Sequence, residues 1–274
     1  MKSVLRELYG CMLKISARMC SVPSHQAHKS ITVAALEKLG YTLSKDLVSG
    51  ILNGVVDPDR VPDRKVYTYV RSRGRIIVRE HCVSHHDSNR ELIDYYFNLS
   101  LYYLRRGDEY RAGFMLGRAL HYVQDGSLSR RRYLLFDTHR SEEKAINNMA
   151  STPQKIGEIC REVSVENREK SSRALEALCI ALKESVKTIK SFSGESARNV
   201  DAARLREKVR EFRLVKVLTT AALLLSIPIH QNILLSFTTI LAAAVVALYR
   251  PKTYYEAMRA GLVIVRPYII KTAY

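Results

Sequence analysis

The sequence predicts an all-α protein, a multi-helix bundle with a small β-hairpin insertion at about 66–79 and a C-terminal hydrophobic helical hairpin. Three observations carry this expectation. Glycine and proline are sparse, 12 and 7 in 274 residues, so few breaks interrupt the periodic segments. Apolar residues recur at helical spacing along most of the chain. Runs of β-branched residues are short. Two regions are expected, 1–195 as a helical domain and 200–274 as a C-terminal membrane-hairpin region.

The elements follow in order. Residues 2–20 read as an amphipathic helix with Val4, Leu5, Leu8, Met12, Leu13 and Ile15 on its apolar side. Pro23 breaks it, and Ser24 is placed to cap a second helix that runs to Leu39 and stops at Gly40. A third helix, from Ser44 to about Leu52, ends at Asn53-Gly54. The next loop holds Asp57, Asp59 and Asp63, with Pro58 and Pro62 set among them. Residues 66–70 and 75–79 alternate as strands around a turn containing Gly74, the hairpin signal. A long helix from about Asn89 to Arg105 follows. Gly107 then leads into a helix that opens near Asp108 and ends at Asp125, its buried face marked by Phe114, Met115, Ala119, Leu120 and Val123. From about 141 to 191 the chain is helical and charged, with Leu175, Leu178, Leu182 and Val186 as a buried stripe.

Beyond about Val200 the composition changes. Residues 214–229 and 233–249 are two apolar runs in which Lys216 is the one charge. Each falls a little short of the roughly 20 residues of a spanning helix. Together they suit a membrane hairpin with a tight polar turn, or else a hairpin buried in a bundle. Arg206, Lys208, Arg210 and Arg213 precede it and Arg250, Lys252 and Arg259 follow it, whereas the turn has no Lys or Arg. The positive-inside rule then expects the main domain to be cytoplasmic. The apolar tail near Leu262 and Ile269 is expected along the membrane interface.

The net charge of +17 expects an anionic partner: a membrane surface, a nucleic acid or a phosphorylated substrate. Five scattered cysteines without a CxxC read as reduced, mostly buried thiols in a reducing compartment. Arg6, Glu7, Lys14 and Arg18 interrupt the first helix, so a secretory signal is not expected.

The histidines carry the chemistry. His121 and Asp125 are one helical turn apart and project from the same stripe. Such a pair serves either as two ligands to a borderline cation or as a hydrogen bond on a helix surface. His81 and His85, and His139 and Glu143, repeat the spacing. Seven of the eight histidines lie between His25 and His139, interleaved with carboxylates, which favours a metal centre over a single surface pair.

Taken as ordered motifs over about residues 25–143, these residues resemble the zinc-dependent phospholipase C family and its single-strand-specific nuclease relatives. The matching segments are His28 at a helix start, Asn53-Gly54-Val55-Val56-Asp57-Pro58-Asp59, Ser84-His85, Leu120-His121-Tyr122 through Asp125, and His139 with Glu143. The resemblance implies an all-helical fold with two or three zinc ions held by His28, Asp59, His85, His121, Asp125, His139 and Glu143, with Asp125 bridging two of them. Asp59 is then also the candidate to orient or deprotonate a water. The chain departs from the family pattern at Arg131, which stands where a further histidine ligand is expected, leaving the His139–Glu143 site weak or empty. Arg131 is a candidate to bind the substrate phosphate. The family's N-terminal ligand has no counterpart here, and His25 and His86 are possible additional ligands.

The function expected is therefore a zinc-dependent phosphodiester hydrolase, phospholipase C-like, acting on phospholipid headgroups at an anionic membrane. Two alternatives stand beside it: a non-catalytic membrane protein with a degenerate metal site, and a phospholipase C-like nuclease acting on nucleic acid.

Overall fold

The structure, a computed structural model, describes residues 25–40, 43–70, 76–83, 90–127, 145–150, 152–165, 173–227, 233–264 and 270–271. The expected first helix at 2–20 lies outside them. Helices dominate, and the all-α class holds. The chain divides into two compact units: Met1–Ser196 with Val265–Tyr274, and Ala197–Ile264. The second unit thus stops short of the C-terminus.

In the first unit, helix α1 (His25–Leu39) ends at Gly40, whose φ of 62° closes the helix in the left-handed region that glycine tolerates. Helix α2 (Lys45–Gly54) is capped by Ser44, whose hydroxyl accepts from the Leu47 N–H at 3.2 Å. The acidic loop is tighter than expected. It includes a single helical turn, α3 (Asp57–Arg60), with Pro58 at its start. Strands β1 (Arg64–Val70) and β2 (Ile76–Cys82) pair antiparallel, with Tyr67 opposite Arg79; the connection 71–75 lies outside the described residues. Helices α4 (Arg90–Leu104) and α5 (Glu109–Asp125) follow. The Asp108 carboxylate caps α5 by accepting from the Arg111 N–H at 3.0 Å. Helices α6 (Pro153–Val165) and α7 (Arg173–Ala197) complete the bundle.

The core forms where α1, α2, α5 and α7 bring Ile31, Ile51, Val55, Leu116, Leu120 and Leu178 together. Two pairs of glycines decide how close α2 and α5 lie. A Cβ built on Gly54 would stand 2.0 Å from the Phe114 carbonyl oxygen. One built on Gly117 would stand 2.3 Å from that of Ile51. Gly50 and Gly113 meet the facing backbone as closely, so four glycines at i, i+4 spacing on two helices remove the side chains between two backbones. This presses the end of α2, and the acidic loop after it, against the middle of α5.

Cys160 of α6 and Cys179 of α7 form a disulfide, with Cα atoms 5.3 Å apart. The expectation of unpaired thiols is corrected for these two. They are 19 residues apart with no motif, and only the packing of α6 on α7 brings them together.

In the second unit, α8 (Ala202–Ser226) and α9 (Ile233–Leu248) form an antiparallel pair, and α10 (Lys252–Arg259) follows. Lys216, midway along α8, donates to the Tyr249 carbonyl just past α9 at 3.2 Å, which fixes the antiparallel sense. The two helices expose apolar side chains on several faces, from Leu214 and Leu218 to Phe237, Leu241 and Leu248, the last 78% exposed. The stretch Leu234–Arg259, 26 residues, is long and apolar enough to cross a membrane, and almost none of it is buried by the rest of the fold. Near the C-terminus, Ile270–Lys271 is a third strand, β3, paired antiparallel to β1; residues 265–269 of the apolar tail lie outside the described residues.

Candidate metal centre

Four side chains expected to act together meet in the first unit. Helix α5 supplies His121 and Asp125, α1 supplies His28, and the acidic loop supplies Asp59. The ligand atoms of His28, Asp59 and His121 all lie within 4.8 Å of one another. Asp125 sits between the two imidazoles. One of its oxygens is 3.1 Å from His121 Nε2 and the other 3.4 Å from His28 Nε2. Asp59 Oδ1 is 3.5 Å from His121 Nε2. The rings of His28 and His121 lie with centroids 4.5 Å apart. All four side chains are almost wholly buried.

Hydrogen bonds on the far side of each ring set which nitrogen faces the cluster. His121 Nδ1 lies 2.9 Å from the Val55 carbonyl, which can only accept, so Nδ1 carries a proton. His28 Nδ1 lies 2.7 Å from Gln124 Oε1, another acceptor. Gln124 is itself held, donating to Thr32 Oγ1 at 2.9 Å and to Ser185 Oγ at 3.2 Å. Both imidazoles therefore turn Nε2 toward the carboxylates, the arrangement in which outer hydrogen bonds orient histidine ligands.

The result is a buried knot of acceptor atoms. His28 Nε2 and both oxygens of Asp59 have no hydrogen-bond partner among the described residues. Burying such groups unsatisfied costs of the order of 1–3 kcal/mol each. A shared proton relieves one contact, whereas a divalent cation relieves them together. The spacing suits one. Ligands bound tetrahedrally at about 2.0–2.1 Å lie about 3.4 Å from each other; three of the histidine–carboxylate separations run from 3.1 to 3.5 Å, and the ligand atoms of His28, Asp59 and His121 stay within 4.8 Å of one another. Two nitrogens and two carboxylate oxygens are a donor set for a borderline metal.

Protonation follows the same geometry. Burial pulls the His121 imidazole down, but the Asp125 and Asp59 carboxylates outweigh it and raise its pKa. Burial lowers that of His28, with His121 adding to the effect. Burial raises the Asp59 carboxyl despite both histidines. His25 stands at the rim, its side chain 40% exposed and its Nε2 3.8 Å from Asp59 Oδ2. His85, His86, His139, Glu143 and Arg131 lie outside the described residues.

A second buried group holds Asp59 in place. Arg118 is fully buried three residues before His121 on α5. Its guanidinium bonds the carboxylates of Asp57 and of Asp63, the latter at 3.0 Å, and the Val61 carbonyl at 3.2 Å. Tyr96 and Tyr122 donate to the two oxygens of Asp63 at 2.7 and 2.6 Å. The Tyr96 ring also lies 4.7 Å beneath the guanidinium. The acidic loop is thus clamped to α5 on both sides of Asp59. Sequence reading missed Arg118, Gln124 and the tyrosines. The available signals were an arginine embedded in an apolar stripe and a glutamine beside the ligand-bearing turn.

Beside His28 and Asp125 a cleft is walled by Ala27, Ile31, Ile146, Ala177, Leu178 and Ala181, so one side of the cluster is apolar. No protein-family model matches this chain, and neither the curated proteins nor the solved structures include a match.

Proposed function

We propose that this chain is a membrane-anchored, zinc-dependent phosphodiester hydrolase of phospholipase C type that acts on phospholipid headgroups. The observation that carries the reading is the convergence of His28, Asp59 and His121, with Asp125 within 3.4 Å of both imidazoles and with His28 Nε2 and both Asp59 oxygens lacking a hydrogen-bond partner among the described residues. These four residues would hold the metal. When bound, zinc supplies Lewis-acid stabilisation of phosphate charge and an acidified water. Asp59 keeps one oxygen toward His121 and the other toward the exposed rim at His25, so it can both hold the cluster and accept a proton from the solvent side. The Val55 carbonyl and Gln124 keep both imidazoles oriented, and the Arg118 clamp keeps Asp59 from drifting. The exposed apolar helices α8 and α9 are the anchor.

The test is hydrolysis of phosphatidylcholine and anionic phospholipid vesicles by the full chain with added zinc. Headgroup release that Asp59→Asn and His121→Ala each reduce by at least about a hundredfold supports the reading. Release unchanged in both variants, or none in zinc-loaded wild type, contradicts it.

For orientation, the basic flanks of the hairpin support a cytoplasmic main domain. The Cys160–Cys179 disulfide favours the opposite, oxidising side. Alkylation of these two cysteines in intact cells by a membrane-impermeant reagent, only after external reduction, would support the second orientation. Reaction only after lysis would support the first.

A further inference from the structure

The foot of the α8–α9 hairpin gathers charges and rings that the metal chemistry does not use. Phe212, Arg213 and Lys216 come from α8, Tyr249 and Arg250 from the segment after α9, and Tyr254 from α10. The Phe212 ring lies 6.2 Å from that of Tyr249 and 6.5 Å from that of Tyr254. Two guanidiniums from separate segments share the Tyr254 ring, Arg213 at 6.0 Å and Arg250 at 5.6 Å. Lys216 lies 5.7 Å from the Phe212 ring and bonds the Tyr249 carbonyl.

Three features of this place point the same way. The helices change here from charged (Arg204 to Arg213) to apolar (Leu214 onward). Aromatic residues with polar tips mark the boundary, as they do at a membrane–water interface. The two guanidiniums are drawn from separate segments to the Tyr254 ring and Lys216 to the adjoining Phe212 ring, and guanidinium forks match phosphate oxygens.

We propose that Arg213, Lys216 and Arg250, gathered on Phe212, Tyr249 and Tyr254, bind the phosphate of an anionic phospholipid headgroup at the membrane surface. The proposal rests on the membrane-anchoring part of the function proposed above and adds a lipid preference to it. The rings set the depth at which the hairpin stops, and the cations select the lipid around it.

The test uses the full chain, purified in detergent and exposed to equal amounts of phosphatidylglycerol and phosphatidylcholine. Retained lipid is counted by native mass spectrometry. Wild type should retain phosphatidylglycerol preferentially. R213Q/R250Q should lose that preference by about fivefold for each cation removed, while R213K/R250K, which keeps the charge but loses the fork, should fall between the two. Wild type without a preference, R213Q/R250Q with the wild-type preference, or displacement of the lipid by inorganic phosphate at matched concentration would overturn the assignment. Alkaline extraction of wild-type membranes separates the two ideas. Protein that stays embedded yet shows no lipid preference sinks only this site. Protein that is released sinks the anchor as well.

Discussion

His121 shows how much one side chain depends on its neighbours. Its ring is oriented by a backbone carbonyl, and its proton affinity is raised by two carboxylates that outweigh burial. A metal ligand must be a neutral imidazole, so binding must expel this proton, and also any held by Asp59, whose pKa burial raises. The sign is fixed: apparent zinc affinity falls as pH drops, and the fall begins above the ordinary histidine value of 6.5. Calorimetry in buffers of differing ionisation heat should register proton release on zinc binding near neutral pH. Release of none there would contradict the account. Arg118 gives a second expectation at this scale. Arg118→Met leaves Asp57 and Asp63 buried without their cation and should cost about 3–5 kcal/mol in denaturant unfolding. A loss below about 1 kcal/mol would mean that the clamp is not what holds the loop.

At the scale of elements, the crossing of α2 and α5 controls the site. The Val55 carbonyl reaches His121 because glycines let the two backbones approach. Gly117→Ala would drive a methyl group into the Ile51 carbonyl, so the helices must part. Zinc affinity and thermal midpoint should both drop. Gly157→Ala on α6 meets nothing within 4 Å and should be neutral or stabilising by up to about 1 kcal/mol. Equal behaviour of the two variants in thermal unfolding would remove the crossing from the explanation. Much of this level was legible beforehand. Ser44 and Asp108 are cap residues before apolar periodicity, and both cap their helices. His121 and Asp125 could be picked out as candidates because ligand residue types one turn apart are a local pattern, whereas His28 and Asp59 were singled out as ligands by the family resemblance. The Arg118 clamp was not, because its partners Asp57, Asp63 and Tyr96 are joined only by folding. The disulfide was hidden for the same reason: local sequence does not record which helix will lie beside which.

For the whole molecule, the central expectation is a catalytic unit tied to a bilayer by an apolar hairpin. Exposed side chains such as Leu225, 75% exposed, and Leu248 would be costly in water and are at home in lipid. Full-length protein should remain in membranes through high salt and alkaline washing, and removal of residues 214–249 should free it. Release of the intact chain by salt alone would show that screened charges held it and that the hairpin is not inserted.

The claim on which the rest depends is that the buried His28, Asp59, His121 and Asp125 cluster holds a metal. Elemental analysis of detergent-purified protein never exposed to chelator, wild type beside His121→Ala, tests it most directly. At least one zinc equivalent in wild type, mostly lost in the variant while circular dichroism stays unchanged, is the expected result. Wild-type protein with no stoichiometric metal, or the same metal content in both, would contradict it.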